Sequence, residues 1–193
     1  MRTPSPIKRV CELALAIPAA LVAFPIVAAL LVAVRVETPG SPLLVQERVG
    51  QGRRLFRLYK IRTMFRDTPH VASHEVGEMR VTRIGGILRR LKLDELPQLI
   101  NIINGSMSFV GPRPCLPAQS ELIAERDERG LFALRPGVTG PGQVAGIDMS
   151  TPVLLADTEA DYFRDATLSS DFGILVRTAM GSGRGDAASR PGA

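Results

Sequence analysis

The sequence has no tryptophan, and aromatic residues fill only 5% of its 193 positions. Proteins that bind single-stranded nucleic acid interleave stacking aromatics with basic residues, and duplex readers carry a basic reading element. Neither pattern occurs, so nucleic acid is not an expected partner. Cysteine is as scarce: Cys11 and Cys115 are the only two, too few for a disulfide framework and without the spacing of a zinc site. His70 and His74 have the i, i+4 spacing of a metal pair. They lie in a polar, irregular stretch, 66–78, with no third ligand, and read as solvated loop residues. With no histidine near Cys115, a catalytic thiol has no support.

Charge is missing altogether from Leu13 to Val34, "LALAIPAALVAFPIVAALLVAV". About 22 helical residues at ~1.5 Å each cover roughly the ~30 Å hydrocarbon core of a bilayer, so this run belongs in a membrane. A cleaved signal peptide is the rival reading, because Arg2, Lys8 and Arg9 precede the run. The run is long for an h-region, however, and a polar cleavage zone is lacking. Pro18 and Pro25 each remove a backbone donor, and a kink is expected above all at Pro25, near the middle. Basic residues stand on both flanks, with Arg35, Arg48, Arg53, Arg54 and Arg57 following the run, so the positive-inside rule selects neither orientation. A re-entrant helix with both ends in the cytoplasm resolves that tie; a kinked helix crossing once is the alternative.

What charge there is divides unevenly. Residues 1–92 hold 16 Lys+Arg against 6 Asp+Glu, and residues 93–193 hold 8 against 13. The basic half points towards an anion such as a nucleotide, a phosphate or an acidic lipid. Within it, "LLVQERV" and "RLFRLYKI" flank the turn "GQG" and predict a β-hairpin, with Arg54, Arg57 and Lys60 directed outward to meet phosphate. Further on, "TRIGGILRRLKLDELPQLINIIN" predicts a short helix from Ile84 to about Leu91, a break, and a second helix from Asp94 that buries Leu96, Leu99, Ile100 and Ile103. Adjacent residues in a helix point about 100° apart, so Asp94 and Glu95 call for separate roles. At a helix start they also stand where free backbone N–H groups attract phosphate. The same three features, an acidic pair followed by proline, also suit an ordinary helix N-terminus.

The blocks "QERVGQGRRLFRLYKIRTM", "TRIGGILRRLKLDELPQLINIINGSMSFVGPRP" and "RPGVTGPGQVAG" resemble, in order and spacing, those of the bacterial sugar transferases called monotopic phosphoglycosyl transferases. The likeness runs to about residue 180, and the chain resembles the small form of the family, without additional transmembrane helices. It implies an α+β, mainly helical fold. Residues 1–36 would be a re-entrant membrane helix. Residues 37–180 would be one catalytic domain of membrane-surface hairpin and amphipathic helices, and residues 181–193 a disordered tail.

The resemblance also implies a reaction: transfer of a phosphosugar from a UDP-sugar to polyprenol phosphate, with release of UMP, at the cytoplasmic face of the bacterial inner membrane. Asp94 matches the family's nucleophile. A free aspartate has a pKa of about 3.9 and needs no base before attacking phosphorus. Glu95 matches the residue that holds Mg2+, a hard cation that takes few carboxylates plus substrate phosphates. Arg89 and Arg113 match basic positions suited to bidentate phosphate binding, and Lys60, Arg135 and Gln143 are further substrate-binding candidates. The implied partners are the UDP-sugar, polyprenol phosphate and membrane phospholipid, and a homodimer is compatible with the sequence. Two departures stand out. The helix break, often Ser-Pro in the family, is Phe24-Pro25 here, so proline alone must set the kink. In the third block Pro141 and Ile147 replace an aromatic and an arginine.

The rest of the chain reads as support. Ser120 to Leu134 and Pro152 to Phe163 carry helical patterns with acidic faces. Leu168, Phe172, Leu175, Val176 and Ala179 form the apolar stripe of a last helix, for core or membrane-surface packing. The alternative to an enzyme is a membrane-anchored scaffold, indifferent to the loss of either carboxylate.

Overall fold

The computed structural model of the chain describes residues 5–65 and 81–182. His70, His74, the loop read over 66–78 and the tail after Ser182 lie outside them. Thirty-two residues, Pro6–Glu37, form helix α1, which runs on through both Pro18 and Pro25. A kink at Pro25 therefore does not take the form of a break; a long apolar helix absorbs one missing donor by local adjustment.

α1 turns one narrow stripe towards the rest of the chain. Its buried residues are Glu12, Ala16, Ala23 and Val34, whose spacings of four, seven and eleven lie close to whole helical turns. Small side chains at positions 16 and 23 permit close approach, whereas Leu15, Leu21, Val22 and Phe24 are all more than half exposed. Both ends of the helix are bonded to the same body. At the start, Arg9 donates to the carbonyls of Ile102 and Ile103 at 2.7 and 3.0 Å, Lys8 pairs with Asp171 at 2.9 Å, and Glu12 accepts from the Ser108 hydroxyl. At the end, Glu37 accepts from the Ile84 amide at 3.0 Å, and Val34 packs against Ile61 and Leu88.

The predicted hairpin forms from β1, Leu43–Val49, and β2, Leu55–Ile61, antiparallel with Leu43 opposite Ile61 and Val49 opposite Leu55. Its outward set needs correction. Arg57 is exposed, but Lys60 shares the inner face with Phe56 and Leu58, because strand side chains alternate with period two and residues 57 and 60 differ by three.

Helix α2, Arg83–Arg90, is capped by the Thr82 side chain, which accepts from the Gly85 amide. Lys92 then takes a left-handed φ of 56°, and Leu93–Glu95 form a single 3-10 turn. Helix α3 spans Gln98–Ile103, so the acidic pair precedes the helix rather than opening it. Its inner face also differs from the predicted one: Ile100 and Ile103 are exposed at 55% and 37%, while Gln98, Asn101 and Ile102 are buried. Asn101 wins the inner position because its amide satisfies the edge of β2, accepting from the Tyr59 amide and donating to the Arg57 carbonyl at 2.7 Å.

Two three-residue strands that the sequence analysis did not predict, β3 (Ser108–Val110) and β4 (Gly137–Thr139), pair in parallel with Ser108 opposite Gly137. They run so close that a Cβ on Gly137 would lie 2.1 Å from the Gly111 nitrogen. Helix α4 spans Ser120–Glu128, shorter than predicted, because Gly130 turns the chain with φ 64°. Helices α5 (Pro141–Ala145), α6 (Pro152–Arg164) and α7 (Leu168–Ala179) complete the chain. Val110, Leu131, Ala156, Phe163 and Ile174 make the core beneath them. On α7, Ile174 faces that core while Leu168, Phe172 and Val176 stay exposed, so most of the predicted stripe looks outward.

The α2 contact sets a contrast between neighbouring glycines. A Cβ on Gly85 would lie 2.1 Å from the Thr63 carbonyl oxygen, and one on Gly86 would meet nothing within 4 Å. Gly85→Ala is expected to destabilise by about 1–3 kcal/mol, and Gly86→Ala to stabilise by up to ~1 kcal/mol through helix propensity. Thermal unfolding of the two variants in detergent checks the opposite signs.

Candidate active site

The turn between α2 and α3 brings the acidic pair under β2. Lys60 Nζ stands 3.1 Å from Asp94 Oδ2 and 3.2 Å from Glu95 Oε1, so one ammonium holds both carboxylates. The left-handed Lys92 makes this possible by reversing the chain just before the 3-10 turn. Asp94 is 3% exposed. A carboxylate so far from water is costly unless paired and hydrogen-bonded, and Lys60 supplies the pairing.

Two guanidinium groups flank the pair. Arg113 Nη2 lies 3.9 Å from the same Glu95 oxygen. Arg89, in the last turn of α2, donates from Nε to the Thr63 hydroxyl at 2.9 Å, which fixes the plane of its fork. Both line one cavity of about 1420 Å³ together with Lys60, Asp94, Glu95 and Gln143. Gln143 donates to the Val138 carbonyl at 2.9 Å. The lining is also apolar and comes partly from the membrane-type helix: Ala19, Val22, Ala23 and Ile26 of α1 line the cavity together with Leu99, Phe109 and Leu175. Pro25 itself does not line the cavity, although Ile26 beside it does.

Arg135 is placed elsewhere. It borders a smaller cavity, about 50 Å³, with Lys8, Arg9 and Glu12 beneath the start of α1. The structure thus gathers six of the seven predicted polar residues and leaves this one apart. Sequence reasoning overlooked several residues of the large cavity. Arg83, Arg90 and Lys92 extend its basic rim, and Thr139 and Thr178 share a hydrogen bond of 2.8 Å on its wall. Thr139 lies inside "RPGVTGPGQVAG" and was there to be found; Thr178, in the last turn of α7, has no signal in the sequence. Cys115 is fully buried, and burial pushes its thiol up despite the nearby Arg126 guanidinium, as befits an inert sulfur.

Among the described residues no group of three or more His, Cys, Asp or Glu side chains converges. The donor set nonetheless fits Mg2+ shared with a ligand. Two carboxylates that line the cavity lie against one ammonium, and this ion takes one or two carboxylates while phosphate oxygens and water fill the other positions.

Comparisons with known proteins place the chain among relatives by its sequence. Residues 3–184 match the family described as bacterial sugar transferase. The chain is 39% identical over 155 residues to a UDP-glucose:undecaprenyl-phosphate glucose-1-phosphate transferase of Caulobacter vibrioides, covering 76% of this chain and 58% of that protein. It is 33% identical over 189 residues to the UDP-N-acetylgalactosamine-undecaprenyl-phosphate N-acetylgalactosaminephosphotransferase of Aeromonas hydrophila, covering 91% of this chain and 44% of that protein. An exopolysaccharide production protein of Rhizobium leguminosarum bv. phaseoli is 36% identical over 151 residues, covering 73% and 74%. The chain therefore spans only about half the length of the first two relatives. The matched region contains the whole of the cavity, from Pro18 to Thr178, and on that match the chain belongs to the bacterial sugar transferase family.

Proposed function

We propose that the protein transfers a phosphosugar from a UDP-sugar to polyprenol phosphate, giving polyprenol-diphosphate-sugar and UMP through a covalent aspartyl intermediate, as the first membrane step of a bacterial glycoconjugate pathway. One observation carries the reading: a single cavity is lined both by Lys60, Asp94, Glu95, Arg89 and Arg113 and by apolar α1 side chains. A sugar nucleotide needs the first and a polyprenyl tail the second. The relatives' names, which pair UDP-sugars with undecaprenyl phosphate, support the same substrates.

In the first half-reaction an Asp94 carboxylate oxygen attacks the phosphorus that bears the sugar. A new P–O bond to Asp94 forms, the P–O bond to the uridine phosphate breaks, and its electron pair leaves with UMP. In the second, a phosphate oxygen of the lipid attacks the same phosphorus and Asp94 departs as carboxylate. Lys60 orients Asp94 by holding Oδ2. Arg89 and Arg113 bind phosphate oxygens and meet the charge that spreads over them in the transition state. Glu95 would hold Mg2+, which when bound neutralises charge on the diphosphate. Loss of Asp94 as nucleophile, in Asp94→Asn, is expected to cut UMP release by at least about 10³-fold. Arg113→Lys keeps the charge but not the fork, and should cost at least about tenfold, or ~1.4 kcal/mol. Both variants are expected to melt close to wild type. A panel of UDP-sugars with polyprenol phosphate and Mg2+ measures this, and a scaffold would show no turnover and no response to either change.

For membrane placement, α1 is long and apolar enough to cross a bilayer, with a mean hydropathy of 2.6 over an 18-residue window. Yet Lys8, Arg9 and Glu12 at one end and Glu37 at the other bond to the same body. A ~30 Å hydrocarbon layer cannot separate two ends so joined. These bonds support the reading in which the helix enters one leaflet of the inner membrane from the cytoplasmic face and both its ends return there. The exposed Ile100, Ile103, Phe172 and Val176 meet phospholipid beside it. In a background with Cys11→Ala and Cys115→Ala, single cysteines from Ser5→Cys and Ser41→Cys should both escape a membrane-impermeant thiol reagent in intact cells. Both should react once the inner membrane is permeabilised. Labelling of the first alone in intact cells would mean a helix that crosses.

A further inference from the structure

Resting on the activity proposed above, we infer that Arg126 and Glu159, which do not line the cavity, are positioning residues for Arg113. Arg126 on α4 is 2% exposed and Glu159 on α6 is 1% exposed. Their pairing is bidentate, Nε to Oε2 at 2.8 Å and Nη2 to Oε1 at 2.7 Å. The remaining nitrogen, Nη1, donates to the backbone carbonyl of Arg113 at 2.7 Å. The Arg113 backbone in turn contacts the Glu159 carboxylate. The fork thus has one edge for Glu159 and one donor for the turn.

The turn has few other means of holding itself. Pro112 and Pro114 have no N–H to give, so between them only Arg113 carries an amide donor. The carbonyls are all taken up from outside: that of Pro112 by the Gly137 amide at 2.9 Å, that of Pro114 by Arg48 at 3.0 Å, and that of Cys115 by the Val49 amide at 3.0 Å. Arg126 completes the set at Arg113. Every peptide carbonyl from 112 to 115 is thereby fixed from outside the turn, by β4, α4 and β1, and the Arg113 side chain leaves this base towards Glu95. Bidentate phosphate binding requires such placement, since an error of about 1 Å can cost roughly 10²-fold in rate.

Stability alone does not account for the pair. Buried ion pairs exchanged for apolar residues of like volume often leave stability unchanged or raised. What an apolar pair cannot supply is the donor to the Arg113 carbonyl. The exchange Arg126→Met with Glu159→Leu is therefore expected to melt within about 5 °C of the parent and to release UMP at least about tenfold more slowly. By mass spectrometry, amide exchange over residues 111–116 should rise at least about tenfold while that of α2 stays unchanged. In an Arg113→Ala background the exchange should slow turnover no further, because its effect passes through Arg113. Unaltered exchange over 111–116, or losses that multiply in the combined variant, would overturn the assignment. If the apolar pair does not fold, Arg126→Lys keeps a cation beside Glu159 without the third donor, and the same two measurements decide. If the parent protein releases no UMP from any UDP-sugar, the proposed activity fails, and amide exchange still tests the clamp.

Discussion

Glu12 is a carboxylate within an apolar helix, and it is 6% exposed. Such a group is tolerated only where charge and hydrogen bonds meet it, and here Ser108, Lys8 and Arg9 do so. The requirement ties the first turns of α1 to β3 and α3, while Glu37 and Val34 tie its last turns to α2. A helix long enough to leave the protein is thereby laid along it. Its middle, Pro18 to Ile26, becomes a wall of the cavity. Apolar surface and the charged cluster of Lys60, Asp94, Glu95, Arg89 and Arg113 meet because of this one docking.

Opposite that wall, placement comes from backbone devices more than from regular structure. Asp94 and Glu95 sit on three residues of 3-10 turn between a left-handed Lys92 and the capping Pro97. Arg113 sits on a turn that carries prolines on both sides, and Arg89 ends a helix pressed against Thr63. Lys60 is the member contributed by a strand, and it gathers both carboxylates. Regular elements bring these short segments together, and local strain and side-chain bonds aim them.

The sequence made the long elements legible. α1, the hairpin, α2, α6 and α7 each have a period or a punctuating Gly, Pro or Thr that states their limits. β3 and β4 do not: "SFV" and "GVT" are too short for alternation to register. The inner face of α3 was misread because a polar residue, Asn101, occupies it to satisfy the edge of β2. Lys60 was directed outward until strand parity placed it with Leu58. The resemblance named Asp94, Glu95, Arg89 and Arg113, which the fold brings to one cavity, but Arg126 and Glu159 were hidden in helices read as having acidic faces. The two are 33 residues apart, and pairing at such a distance leaves no local trace.

The central claim is that Asp94 carries the phosphosugar between two substrates. Intact-protein mass spectrometry tests it directly, with purified protein, a panel of UDP-sugars and Mg2+, and no polyprenol phosphate. The account predicts a gain of one phosphosugar mass with the accepted sugar nucleotide, its loss on later addition of polyprenol phosphate, and no gain on Asp94→Asn. An adduct that persists on Asp94→Asn, or turnover with polyprenol phosphate from a protein that never gains the mass, would contradict it.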